Sequence, residues 1–113
     1  MLIQNTITLT ASQDIPNILT GSQFELMPFD GLVRFGITQD ANGSIVCDVY
    51  SGTDLLMESS TVSIANRFPV NPDDFNLRDV AAKGERLKIH ARNTAAANRV
   101  LFYAVEVIPI RRR

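Results

Sequence analysis

The chain has 113 residues, 45% hydrophobic and 20% charged, with a net charge of −1; this is the composition of one globular domain and excludes a disordered chain. A lone cysteine, Cys47, excludes an internal disulfide, and no apolar run approaches the roughly 18–20 residues that a membrane-spanning helix needs. With one histidine, His90, and no tryptophan, the chain is short of the groups that build acid–base, nucleophilic or metal sites, so we expect no enzyme and no cofactor.

In chain order, residues 5–11 alternate Ile7, Leu9 and Ala11 with threonines, which predicts a half-buried strand. Residues 12–22 read as loop with a brief extended piece at Ile15 to Leu19. Phe24, Leu26 and Pro28 are expected to share one face of a second strand, held to an edge or bulge by the proline. Val33, Phe35 and Ile37 then alternate with Arg34, Gly36 and Thr38. The Asp40-Ala41-Asn42-Gly43 turn, followed by the run Ile45 to Ser51, predicts a β-hairpin, because Asn-Gly tolerates positive φ.

Ser51-Gly52-Thr53-Asp54 predicts a further turn into Leu55 to Ser59, and Val62 and Ile64 are expected on one face of the next strand. Asn71-Pro72-Asp73-Asp74 has the form of an N-cap, a proline and first-turn acids, predicting a short helical turn near 72–76 with Phe75 and Leu77 plugging the core. In residues 86–93, Leu87, Ile89 and Ala91 point inward and Arg86, Lys88, His90 and Arg92 outward. A long final strand runs from Arg99 to Ile110 before Arg111-Arg112-Arg113. About eight short strands at regular spacing predict a single all-β domain over 1–113, with 1–4 and 111–113 as extended termini. Its expected form is an antiparallel β-sandwich, an eight-stranded jelly roll ahead of an immunoglobulin-like sandwich.

Few residues invite a chemical reading. Cys47 lies in an apolar run and reads as a small buried hydrophobe. His90 stands between Lys88 and Arg92 on a polar face, a setting that opposes a metal ion. Asp73 and Asp74 do not have the spacing of a calcium loop. Glu106, on the Phe102, Ala104 and Ile108 side of a strand apolar on both faces, calls for an ion pair with an arginine. Residues 1–56 carry one base against six acids and residues 57–113 ten bases against six acids. The halves thus differ in sign, which permits one acidic and one basic face. Arg86, Lys88 and Arg92, at i, i+2 and i+6 on one strand face, form a basic ridge. Together with Arg111, Arg112 and Arg113 they are the expected interface residues. No aromatic platforms interleave the ridge, so a protein surface suits it better than nucleic acid.

The segments IVCDVYSGTDLL (45–56), NPDDF (71–75), DVAAKGERLKIHARNT (79–94) and VLFYAVEVIPI (100–110) give residues 32–110 a texture that resembles small jelly-roll virion proteins of tailed bacteriophages. The resemblance implies a capsid decoration, cement or minor structural protein. It also implies a partner in the major capsid or another virion protein, a homo-oligomer with a trimer favoured, and a virion location after assembly in the host cytoplasm. No signal peptide, membrane or nucleic acid is expected. The alternative is a carbohydrate-binding β-sandwich module; a metal-dependent barrel enzyme is a third reading, for which inward ligands are wanting.

Overall fold

Nine strands account for most of the chain in a computed structural model that describes residues 2–40, 44–64, 69, 75 and 77–110, without the side chains of 59–61 and 63. They are β1 (Leu2–Leu9), β2 (Asp14–Ile15), β3 (Gly31–Gln39), β4 (Ile45–Ser51), β5 (Asp54–Thr61), β6 (Ser63–Ile64), β7 (Leu77–Ala81), β8 (Leu87–Asn93) and β9 (Arg99–Pro109). One sheet has the order β1-β9-β3-β6, with β7 also on β3; the other has the order β2-β8-β4-β5. Every pairing is antiparallel except the short parallel contact of β3 with β6. The protein is thus an all-β sandwich. The predicted turn at Asn42-Gly43, the helical turn near 72–76 with Asp73 and Asp74, and Arg111 to Arg113 lie outside the described residues.

Period-2 alternation sets which side chains meet between the sheets. Val33, Phe35 and Ile37 of β3 and Leu101, Tyr103, Val105 and Val107 of β9 enter the core from one side. Ile45, Cys47 and Val49 of β4 and Leu87, Ile89 and Ala91 of β8 enter from the other. The faces expected for β3 and β8, the split of β9 into a Tyr103, Val105 and Val107 face and a Phe102, Ala104 and Glu106 face, and the burial of Cys47 are observed.

The predicted hairpin is not formed. β3 is bonded on one edge by β9 and on the other by β7 and β6, while β4 is bonded by β8 and β5. Neither has a free edge for the other, so the chain crosses from sheet to sheet between Gln39 and Ile45. What joins the two strands is a side chain. Gln39, fully buried, accepts the Ile45 N–H at Oε1 (2.9 Å) and donates from Nε2 to the carbonyls of Ile45 (3.3 Å) and Val62. Its amide reproduces the two-bond exchange of a ladder pair across the corner.

Val62 marks a second crossing. It is buried between β5 and β6 and donates its N–H to Ile45 O (3.1 Å), whereas Ile64 is exposed. The two do not share a face, because the strand breaks at Val62 as the chain changes sheet. Residues 24–28 also depart from the expected strand: Phe24 and Met27 are buried and Leu26 is exposed. A bridge at Leu26–Arg86 and backbone bonds from Leu87 N to Glu25 O and from Met27 N to Glu85 O dock this segment as a loop. Ala11, expected on the face of Ile7 and Leu9, is exposed in a turn beyond the end of β1. Phe75 is buried, but away from the core. With Pro69 it covers the outer side of β3 at Gly36, where a Cβ would come within 2.6 Å of Pro69 Cβ and 3.0 Å of the Phe75 ring. Gly36 and its cross-strand partner Ala104 supply the shallow floor that this cover needs.

The corner amide yields a stability prediction. Gln39→Leu keeps the volume but strands the buried Ile45 N–H and Val62 carbonyl, while Ile45 O keeps the Val62 N–H, so we expect a loss of about 2–3 kcal/mol. Urea unfolding followed by circular dichroism should show a lower midpoint at an unchanged slope.

Candidate interaction surface

Strand β8 presents its odd-numbered side chains to the core, which turns Lys88, His90 and Arg92 outward, with Arg86 just before the strand. The expected ridge is real in geometry, but acids from the first half of the chain meet it. Arg86 Nη1 lies 3.3 Å from Glu25 Oε2. Lys88, opposite Tyr50 in the β4–β8 register, sits with Nζ 5.3 Å from the ring centroid, a cation–π contact. Arg92 has Asp14 opposite it on β2 and Val46 opposite it on β4. The sheet therefore brings together bases and acids that the sequence holds in separate halves.

His90 is the centre of this face. Its Nε2 contacts Asp14 Oδ1, and its Nδ1 lies 3.3 Å from Oδ2 of Asp48, its cross-strand partner. A carboxylate oxygen lies against each ring nitrogen, so neither nitrogen is open to a substrate. The arrangement ties β2, β8 and β4 together across the sheet. Lys88 and Arg92 flank His90 in sequence, yet two carboxylates bracket its half-buried ring. Asp14, in the two-residue β2 and far from position 90 in sequence, carries no local signal of this role. Asp48 does, since alternation places it on the outer face of β4.

Beside the ridge, a surface cleft of about 470 Å³ is lined by Ile15, Pro16, Asn17, Thr20, Arg86 and Lys88. Asn17 fixes its floor: Oδ1 accepts the N–H groups of Leu19 (3.0 Å) and Ile89 (3.1 Å), and Nδ2 donates to Leu87 O (3.2 Å). The cleft thus offers two cations on a rigid base to an anionic group. Among the described residues no group of three or more His, Cys, Asp or Glu side chains has the arrangement to hold a metal ion.

The opposite outer face has a different character. Arg34 Nε and Glu106 Oε1 are 2.9 Å apart, paired directly across β3 and β9, so the ion pair expected for Glu106 is present. In the next row Val80, Leu32 and Ile108 lie side by side across β7, β3 and β9. Val80 is 61% and Ile108 38% exposed, which leaves a short apolar row on the surface. Hydrogen bonding to Asp79, then the Asp79 charge, then desolvation and the charge of Glu85 raise the Asp54 pKa above its ordinary value. Cys47 is fully buried. Burial, aided by Asp48 and opposed by Arg92, pushes its thiol up to about 12, the reverse of what a nucleophilic cysteine needs.

No protein-family model matches the sequence, and a comparison with curated proteins found no match.

Two measurements follow from these environments. Native Cys47 should be inert to a disulfide reagent at neutral pH and react fully once the chain is unfolded in guanidinium, so that its labelling rate reports opening of the sandwich. An acid whose folded pKa is raised binds its proton more tightly folded than unfolded, so stability is lost as pH rises from the ordinary aspartate range through the raised value. Asp54→Asn removes that loss. It should melt above the unmodified protein at neutral pH, with the difference closing as the pH falls below the carboxylate range.

Proposed function

We propose that this chain is a non-enzymatic structural protein of a virion, which decorates or cements a bacteriophage capsid through protein–protein contacts. The observation that carries the reading is the strand order. With β6 counted as an addition at the edge of β3, the sheets run β1-β9-β3-β7 and β2-β8-β4-β5. This order supports a jelly roll of two interleaved Greek keys. The phage-protein texture of residues 32–110 agrees with it.

Arg86 and Lys88 at the cleft, with Arg92 beside them, supply the anchoring side, and an acidic surface of a major capsid protein is the partner they fit. Many copies on a shell multiply contacts that are individually weak. The glycan-binding alternative needs exposed aromatic platforms. Tyr103 is in the core, Tyr50 is half-buried beside Lys88, and the chain has no tryptophan, so that alternative has little to stand on.

Sedimentation with assembled shells of the phage that encodes the chain tests the proposal. The protein should pellet with shells at micromolar concentration and less so in high salt, and Arg86→Glu/Lys88→Glu should bind about tenfold more weakly, with a shallower loss in high salt. A chain that stays in the supernatant with its own shells, or that binds a glycan array instead, overturns the reading.

A further inference from the structure

Sheet edges are where a β-sandwich is exposed to unwanted pairing, and natural proteins guard them with shortness, charge, proline or bulges. Among the described residues the sheet edges are guarded in that way, with one exception. Strand β2 has two residues and is followed by Pro16. Strand β5 carries Asp54 and Glu58, and its ladder with β4 is broken by register shifts at Cys47–Val49 and Val49–Tyr50. Strand β7 has five residues, two of them Arg78 and Asp79, and β6 has two. Strand β1 has none of these devices. Its eight residues pair with β9 in unbroken register from Leu2–Glu106 to Leu9–Arg99. Residues 1–13 contain no charged residue and no proline. Among the described residues β1 pairs with β9 alone.

The orientation of its open groups is known from one bond. The Thr6 N–H is held by Oδ1 of its neighbour Asn5 (2.8 Å) and so points away from β9. In an antiparallel strand the N–H and C=O of alternate residues point the same way, so Leu2, Gln4, Thr6 and Thr8 face the open edge. Just beyond, the Thr10 N–H is occupied by Gln13 Oε1 (2.8 Å). The edge available for pairing therefore runs from Leu2 to Thr8.

We propose that this edge is a self-association surface whose occupant is β1 of a second copy, antiparallel about a two-fold axis. Only one register uses all four open residues: Gln4 opposite Thr6 of the second copy and Leu2 opposite its Thr8, each pair exchanging two backbone bonds. That register sets Ile3 opposite Ile7 of the second copy. Both isoleucines are partly buried against the core in the single chain, and pairing covers their remaining open sides. It brings no like charges face to face, because the edge carries no charge. The Asn5 side chain holds the Thr6 amide in the free chain and yields it to the Gln4 carbonyl of the second copy. The two sandwiches then share a continuous sheet, as in other strand-addition complexes.

The inference does not rest on the capsid reading, and its readout is the mass of the protein alone. Light scattering from micromolar to near-millimolar concentration should give twice the 12.5 kDa chain mass. Gln4→Lys/Thr6→Lys sets lysine against lysine across the two-fold at two exposed positions, and should shift the protein to a single-chain mass with an unchanged circular dichroism spectrum. Mixing it with Gln4→Glu/Thr6→Glu should restore the double mass, since opposite charges then face each other. A single-chain mass for the unmodified protein throughout the range overturns the proposal. So does a multiple mass that the lysine pair leaves unchanged, or a mixture that stays at single-chain mass.

Discussion

The fold depends on satisfying backbone groups where the chain leaves one sheet for the other. A strand inside a sheet has its N–H and C=O groups bonded by neighbours; at a crossing those neighbours vanish while burial remains, and an unmet group there costs about 1–3 kcal/mol. Three side-chain amides fill that role. Gln39 spans the β3–β4 corner and reaches Val62 at the β5–β6 crossing. Asn17 pairs with the open side of β8. Asn93 donates to Leu9 O, Thr10 O and Ala97 O and accepts from the Ala95 N–H and Ser44 Oγ, gathering the ends of β1, β4 and β8 and the following loop. An amide carries both a donor and an acceptor in one plane, so it can stand in for a missing strand segment.

Charge is distributed by the same interleaving. Acids of the first half and bases of the second meet on the outer face of the β2-β8-β4-β5 sheet, through Glu25–Arg86 and the contacts of His90 with Asp14 and Asp48. On the other sheet the signs are exchanged, Arg34 coming from the first half and Glu106 from the second. Partly exposed pairs of this kind contribute little each. Their larger effect is on register, since a slip of one residue would carry each charge to the opposite face of its strand. The basic ridge is therefore a patterned surface of paired charges, with Arg86 and Lys88 lining the cleft.

The two outer faces and the free edge give the molecule distinct ways of meeting neighbours. A charged cleft lies on one sheet, an apolar row of Val80, Leu32 and Ile108 on the other, and an unguarded strand at the rim.

How much of this was legible in the chain follows from the range of each signal. Alternation is local: two neighbouring residues suffice to put Val33 and Phe35 on one face and Arg34 on the other, and the same rule set the faces of β4, β8 and β9, buried Cys47, and turned the ridge outward. The ion pair of Glu106 was legible because a charge on a doubly apolar strand demands a partner. Strand pairing has no such local sign. Asn-Gly promised a hairpin between β3 and β4, but both edges of each strand were taken by strands distant in sequence, and only the assembled sheets show that. Phe75 likewise read as core, until Gly36 and Ala104, from separate strands, made a floor for it outside. Asp14 gave no hint that it would reach His90. The sequence by itself thus determined the all-β class and the faces of strands such as β3 and β8, because these depend on neighbours along the chain. The tertiary structure alone decided the sheet order, the amides at the corners and the carboxylates around His90, because each depends on which distant edges are left open when the strands come together.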